Sequence, residues 1–179
     1  MPGVFAALRL GLVLAVVGLA ACSHAADTSA PSRLAGMRLG DPPSAGLTPV
    51  NVPLPAQLAG KLAYFTRPGR TEPFHGVALT DPIYAFYGQR LFAVSADLAE
   101  ADAVGRLHRD LEAGFGPPLC QETATGRSCL WRLGAVDLVL TRTPAGKARL
   151  LLRSTRLAED VRLWREQAVP LEGGEDADR

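Results

Sequence analysis

The most regular hydrophobic pattern in the chain lies between residues 101 and 115, where apolar residues recur every three or four positions. Residues at that spacing share one side of an α-helix, and half of the intervening positions are charged. Asp97 and Glu100 resemble a capping box at its start, and the glycines and prolines at 114–118 end it. We therefore predict a helix that packs one side against a core. The apolar stripe consists of Ala101, Val104, Leu107, Leu111 and Phe115.

Segments rich in aromatic, β-branched and alternating apolar residues lie on both sides of this helix and predict β-strands. Before it, residues 83–87 and 90–95 are separated by Gly88-Gln89, which is typical of a β-hairpin. After it, residues 136–143 and 148–155 form an antiparallel meander with one face towards solvent. Shorter strands are predicted at 61–66, 74–79 and 129–133.

A second helix is predicted after the last strand, because Leu157, Val161 and Trp164 recur by three or four. This order of elements predicts an α+β fold, an antiparallel sheet with two helices packed on one face. Residues 95–100 and 154–159 are similar, and each follows a hairpin and precedes a helix. They suggest two β-hairpin-helix units, and chance similarity in a chain rich in Ala, Leu and Arg is the alternative.

The N-terminal 21 residues carry one charged side chain, Arg9, ahead of an apolar run from Leu10 to Leu19. That run is too short to span a bilayer, which takes roughly 20 residues, and it matches the apolar part of a signal peptide. The quartet that closes it, Leu19-Ala20-Ala21-Cys22, resembles the lipobox of bacterial lipoproteins. An ordinary secretory peptide cleaved at an Ala-x-Ala-like site, with an incidental Cys, is the alternative.

The resemblance implies that residues 1–21 are removed and that Cys22 becomes a lipidated N-terminus. Bacterial lipoproteins carry a diacylglycerol on this thiol and usually a further acyl chain, such as palmitate, on the amine. Each buried CH₂ contributes about 0.8 kcal/mol, so two or three chains anchor a protein stably. By the same resemblance, Ser23 permits sorting to the outer membrane. Membrane lipid is thus one expected partner, and the periplasmic face of the outer membrane is the expected location.

The chain has three cysteines, and lipidation of Cys22 would leave Cys120 and Cys129. Because the periplasm is oxidising, we expect these two to form a disulfide. Closing a loop of roughly ten residues contributes on the order of 2–3 kcal/mol of stability. A redox or metal-binding pair is the alternative, but it lacks both CxxC spacing and a partnering His. We therefore expect no metal site.

The distribution of proline and charge divides the chain into segments. The proline density between residues 42 and 55 is incompatible with a helix or a central strand, and an extended course along a sheet edge is expected. A Pro-rich partner motif is the alternative, although Pro49 and Pro53 are four residues apart. The predicted segments are a signal peptide at 1–21, a lipid-attached tether at 22–35, a Pro-rich extended segment at 36–60, a globular domain at 61–171 and a disordered acidic tail at 172–179.

Charge and motifs argue against most functional classes. The chain has 19 basic and 18 acidic residues, so nothing indicates a nucleic-acid partner. With three His, the chain contains no His-Glu-x-x-His and no Gly-x-Ser-x-Gly, the signatures of two large enzyme classes. It also lacks a glycine-rich phosphate loop between a strand and a helix. We therefore expect a non-enzymatic binding or assembly module without a cofactor, whose partner is another envelope protein.

Two other functional classes remain open from the sequence. One is a carrier of a small ligand or lipid on an aromatic-lined face of the sheet, although such aromatic residues are more often cross-strand pairs in a core. The other is a hydrolase that uses His75 or His108 with nearby carboxylates. The aromatic candidates for ligand binding are Tyr64, Tyr84, Phe86 and Phe92.

Overall fold

The computed structural model describes residues 30–54, 58, 60–124 and 126–167. The predicted signal peptide, Cys22, the predicted acidic tail and the side chain of Trp164 lie outside the described part. Neither helix within these ranges combines the length and the apolar character needed to cross a membrane. The elements are β1 (Arg33–Leu34), β2 (Met37–Arg38), β3 (Thr48–Val50), β4 (Leu62–Thr66), β5 (Glu72–Phe74), β6 (Val77–Tyr87), β7 (Arg90–Leu98), α1 (Ala103–Phe115), β8 (Leu119–Thr123), β9 (Gly126–Leu133), β10 (Val136–Arg142), β11 (Ala148–Ser154) and α2 (Thr155–Gln167).

The strands from β3 onwards form one antiparallel sheet in the order β3-β4-β6-β7-β11-β10-β9-β8, with β5 also paired to β6. The predicted hairpin before α1 and the predicted meander after it are both present, as β6–β7 and as β9–β10–β11. The two predicted strands at 74–79 and 83–87 are largely one strand, β6, with an irregularity between Thr80 and Ile83. The sheet and the two helices confirm the α+β class.

Helix α1 covers the first face of the sheet, as Val104, Leu107 and Leu111 of the predicted stripe indicate, whereas Ala101 is exposed ahead of the helix. The helix buries Ala103, Val104, Leu107 and Leu111 against alternate residues of the central strands, which share one face of a sheet. The predicted capping box is not formed, because Asp97 lies in β7 and the helix begins after Asp102 without a side-chain cap. The largest fully buried residues of the sheet in this core are Trp131, Tyr84, Phe86, Leu79, Leu91, Leu138, Leu150 and Leu152.

Helix α2 packs on the second face of the sheet. Its residue Val161 is buried together with Ala85 and Phe92, and Leu151 packs against this cluster. Leu150 belongs to the core of the first face, so consecutive leucines of β11 point to opposite sides. The prediction of two helices on one face is therefore not confirmed. Strand β11 carries apolar residues on both of its faces, and each face is buried by a different helix.

The predicted pair of hairpin-helix units is not confirmed either. The order of hairpin and then helix occurs twice, and the last strands of the two hairpins, β7 and β11, pair antiparallel at the centre of the sheet. Two equal units related by a twofold axis there would place both helices on the same face. Helices α1 and α2 lie on opposite faces, so the similarity of residues 95–100 and 154–159 does not extend to the arrangement in space.

The folded part of the chain begins well before residue 61. Leu34 and Met37 in the β1–β2 hairpin are 1% and 4% exposed and belong to the core of the first face. The Tyr84 hydroxyl donates a hydrogen bond to the Ala35 carbonyl oxygen at 2.7 Å, and burial raises the pKa of this hydroxyl. The fold thus takes in residues of the predicted tether and of the Pro-rich segment, of which residues 48–50 form the edge strand β3.

Candidate functional site

A groove of about 640 Å³ lies between the second face of the sheet and α2. We call it the α2 groove. Its size is within the range of about 300–1,000 Å³ that is typical of ligand sites. Alternation along β4, β6, β7 and β11 brings apolar side chains to its floor, and the first two turns of α2 form its wall. The apolar lining is Tyr64, Ile83, Ala85, Phe92, Ala93, Leu151, Ala158 and Val161.

One end of the α2 groove is charged. Asp137 lies on β10 directly opposite Arg132 of β9 and Arg153 of β11. Arg153 donates hydrogen bonds from Nε and Nη2 to Oδ2 of Asp137, at 3.0 and 2.8 Å. Within the described residues, Arg132 makes no ion pair or hydrogen bond through its side chain. Asp137 therefore has an arginine on each neighbouring strand, and only the guanidinium of Arg153 is paired with its carboxylate within the described residues.

A second ion pair lies on the α2 side of the groove. Glu159 accepts a hydrogen bond from Nε of Arg162 at 2.9 Å, and this bond lowers the pKa of the Glu159 carboxyl. The described charged residues that line the groove are three arginines, Arg132, Arg153 and Arg162, and two acids, Asp137 and Glu159. The groove thus has an excess of one positive charge beside an apolar floor.

Replacing Asp137 by alanine is expected to lower the free energy of unfolding by about 1–3 kcal/mol, because it removes a charged hydrogen-bond acceptor that is 7% exposed. Denaturation of the purified chain in urea measures the change. The matched control is Asp97→Ala, which removes the carboxylate of the exposed Asp97–Arg149 pair and should cost no more than about 1 kcal/mol. Equal costs for the two variants would contradict a structural role of Asp137.

The four aromatic residues predicted for ligand binding do not share a surface. Tyr64 and Phe92 line the α2 groove, but Tyr84 and Phe86 are 0% and 1% exposed in the core of the first face. The register explains the division, because Tyr64 lies opposite Ala85, and the neighbours of Ala85 in β6 point the other way. The predicted single aromatic surface on the sheet is therefore not formed, and two of the four aromatic residues lie in the groove.

The predicted disulfide is confirmed. Cys120 of β8 and Cys129 of β9 lie directly opposite each other, and their sulfur atoms are bonded at 2.09 Å. It joins the edge strand of the sheet to the strand beside it. Cys129 is buried, whereas Cys120 is exposed.

The two histidines named for the hydrolase alternative lie apart from the α2 groove. His75 is exposed in the turn between β5 and β6, where its ring contacts Phe74 and Phe115. His108 is half-buried on α1, and its ring lies 5.4 Å from that of Trp131, edge to face. One ring nitrogen of His108 lies within 4.8 Å of the sulfur atoms of the disulfide. The sequence gives no indication of a His beside the two cysteines, but the structure brings His108 close to both.

The charged end of the α2 groove was not predicted from the sequence. Asp137 interrupts an apolar strand, and in alternation it falls on the face opposite to Leu138 and Leu140. Arg153 alternates with Leu150 and Leu152 in the predicted meander, so the pattern places it on the face towards solvent. The signal for the pair was therefore present in the strand pattern, and the pairing of β10 with β11 was needed to connect the two residues.

Comparison of the chain with protein-family models, with curated proteins and with solved structures found no match.

Proposed function

We propose that this chain is a lipid-anchored protein of the bacterial outer membrane that faces the periplasm and binds a partner protein of the envelope without catalysing a reaction. The anchor rests on the lipobox-like quartet at residues 19–22. The binding role rests on one observation, the α2 groove, which combines an apolar floor with an arginine, Arg132, that has no ion-pair partner among the described residues.

The groove favours a partner segment that carries apolar and acidic residues. Tyr64, Phe92 and Leu151 offer apolar surface, and aromatic side chains are enriched at protein interfaces. Arg132 supplies a guanidinium that matches the planar geometry of a carboxylate. A short acidic segment with one or two large apolar side chains meets both requirements.

Crosslinking in cells tests this proposal. A photoreactive amino acid at position 64 lies in the α2 groove, and one at position 109 lies on the exposed side of α1, across the sheet. We expect one defined envelope protein to be captured from position 64 and not from position 109. Capture of abundant lipoproteins alone, or equal capture from both positions, would contradict the proposal.

Charge reversal in the groove provides a second readout of the same experiment. Arg132→Glu should reduce the crosslink from position 64 by at least about tenfold, since a like-charge contact costs an interface several kcal/mol. Arg127→Glu is the matched control. Arg127 lies on the same strand but lines a different depression, beside α1, so this change should leave the crosslink intact.

The anchor is tested separately by mass analysis of the processed protein. The expected species begins at Cys22 and carries the mass of a diacylglycerol together with any N-linked acyl chain. An unmodified N-terminus, or a chain that retains residues 1–21, would rule the anchor out while leaving the groove experiment valid.

The same groove supports a second candidate function, a carrier of a small amphipathic anion such as a fatty acid. The observation in its favour is that an apolar floor and Arg132 adjoin in one cavity of about 640 Å³. Organic extraction of protein purified from the envelope, followed by mass spectrometry, distinguishes the two functions. A stoichiometric lipid that is lost in Arg132→Glu supports the carrier, and its absence together with a defined crosslink supports the partner protein.

A further inference from the structure

Three potential metal donors meet outside the α2 groove, and they come from three different elements. His108 lies on α1, Cys120 on the edge strand β8 and Cys129 on β9. One donor atom from each of these residues lies within 4.8 Å of the other two. The three side chains converge because the chain reverses at residues 116–118, after α1, and returns along the sheet as β8.

The imidazole of His108 is oriented by the residues around it. Its Nε2 atom is buried and has no hydrogen-bond partner among the described residues. On the other side of the ring, Nδ1 lies 3.7 Å from Oε2 of Glu112, one turn further along α1. A carboxylate beside one ring nitrogen commonly orients a histidine whose other nitrogen binds a metal.

We propose that reduction of the Cys120–Cys129 disulfide opens a zinc site formed by the two thiolates and the imidazole of His108. A dithiol reductant supplies two electrons and two protons to the S–S bond, and it becomes a disulfide itself. The two thiols then lose their protons as Zn²⁺ binds. The oxidised chain has no thiolate to offer, so the state of the disulfide determines whether the metal binds.

The geometry and the chemistry of the donors favour zinc. With Zn–S bonds of about 2.3 Å and Zn–N bonds of about 2.0–2.1 Å, donors around a tetrahedral ion are about 3.5–3.8 Å apart. The three donors need shifts of only about 1–2 Å to reach these separations. Thiolate and imidazole ligands suit Zn²⁺, whereas Mg²⁺ and Ca²⁺ prefer oxygen. Three protein ligands leave a fourth position for water.

The exposure of the two cysteines fits a site that opens on reduction. Cys120 is exposed on the edge strand and Cys129 is buried, so an attacking thiolate reaches the sulfur of Cys120 first. In the oxidised state the covalent bond joins β8 to β9 only. Zinc would also connect these strands to α1 through His108, and the metal would thereby replace and extend the crosslink.

Cobalt binding tests the proposal on the full chain in detergent, with Cys22→Ala in every sample so that only two thiols remain. The disulfide is first reduced with a phosphine, which takes up the oxygen of water as the disulfide becomes two thiols. Co²⁺ should then bind once per chain. The expected signals are thiolate-to-cobalt charge transfer and the visible absorption of tetrahedral Co²⁺, both removed by Zn²⁺. The oxidised chain should give neither signal. Equal binding by both forms would overturn the proposal.

Two substitutions distinguish the proposed site from cobalt binding by the two thiols without the histidine. Glu112→Gln should weaken Co²⁺ binding by about 10–100-fold, and His108→Ala by more than about 100-fold, because it removes a donor to the metal. The matched control is His75→Ala, which removes the other described histidine and should leave the affinity unchanged. Binding by His108→Ala with the affinity of the parent chain would overturn the proposal.

Circular dichroism of the same samples covers the case in which reduction unfolds the chain. Zn²⁺ should then restore the folded spectrum of the reduced parent chain and of His75→Ala, but not that of His108→Ala. If Zn²⁺ fails to restore the parent chain, or restores all three alike, the proposal is wrong.

Discussion

Replacing Trp131 by alanine is expected to lower the free energy of unfolding by about 3–5 kcal/mol, the usual cost of truncating a large aromatic residue in a core. Trp131 is 2% exposed and lies in the core between the first face of the sheet and α1. Its indole nitrogen donates a hydrogen bond to the Gly116 carbonyl oxygen at 2.9 Å. The substitution leaves a cavity and also removes the donor to the residue that ends α1.

Urea denaturation followed by circular dichroism measures this loss. Leu119→Ala is the control, because Leu119 is 64% exposed on the edge strand β8 and should change the stability by no more than about 0.5 kcal/mol. A cost below about 1 kcal/mol for Trp131→Ala would mean that the core of the first face is not packed as described.

Leu34→Ala is expected to destabilise the fold by about 2–5 kcal/mol, although a reading of the sequence places this residue in a tether. Leu34 is 1% exposed in the same core as Trp131. The β1–β2 hairpin to which it belongs is connected to the main sheet by backbone hydrogen bonds, from Gly40 to Leu91 at 2.8 Å and from Leu91 to Asp41 at 2.9 Å. Loss of the leucine should therefore weaken the whole sheet and not the hairpin alone.

The same unfolding experiment with Arg33→Ala is the control for Leu34→Ala. Arg33 is the other residue of β1, and its side chain is exposed, so the expected change is within about 0.5 kcal/mol. If both variants match the parent chain, residues 33–38 do not contribute to the core, and the folded part begins further along the chain.

Long periodic segments were predicted from the sequence, and the two-residue strands β1 and β2 were not. Helix α1 and the hairpin of β6 and β7 repeat their apolar spacing often enough to be identified. The strands β1 and β2 have two residues each, so neither shows a period, and only their contact with the sheet makes them part of the fold. Strand β8 was missed for a related reason, because all five of its residues are exposed.

The side of the sheet on which each helix packs could not be predicted from periodicity. The run Leu150-Leu151-Leu152 offers an apolar residue to both faces, so it is compatible with helices on one side or on two. Tyr84 and Phe86 could be placed on a common face by alternation. Their separation from Tyr64 depended on the register of β4 against β6, which no local pattern specifies.

The candidate sites also differ in how much of each could be predicted from the sequence. The disulfide follows from an odd number of cysteines once the lipobox-like quartet is recognised. His108 joins the two cysteines only through the packing of α1 on the sheet, since Cys120 lies twelve positions further along the chain. Arg132, Asp137 and Arg153 become neighbours through the pairing of three strands. Alternation within one strand indicates the face on which each residue lies, but it does not specify that pairing.

The burial of the β1–β2 hairpin limits how far the protein could extend from a bilayer. Ala30, where the described chain begins, is eight positions after Cys22, and a fully extended chain of that length reaches at most about 30 Å. This hairpin packs on the first face, and the α2 groove opens on the second. An acylated chain would thus be held by one side of its sheet, leaving the other side free for a partner that itself lies close to the lipid surface.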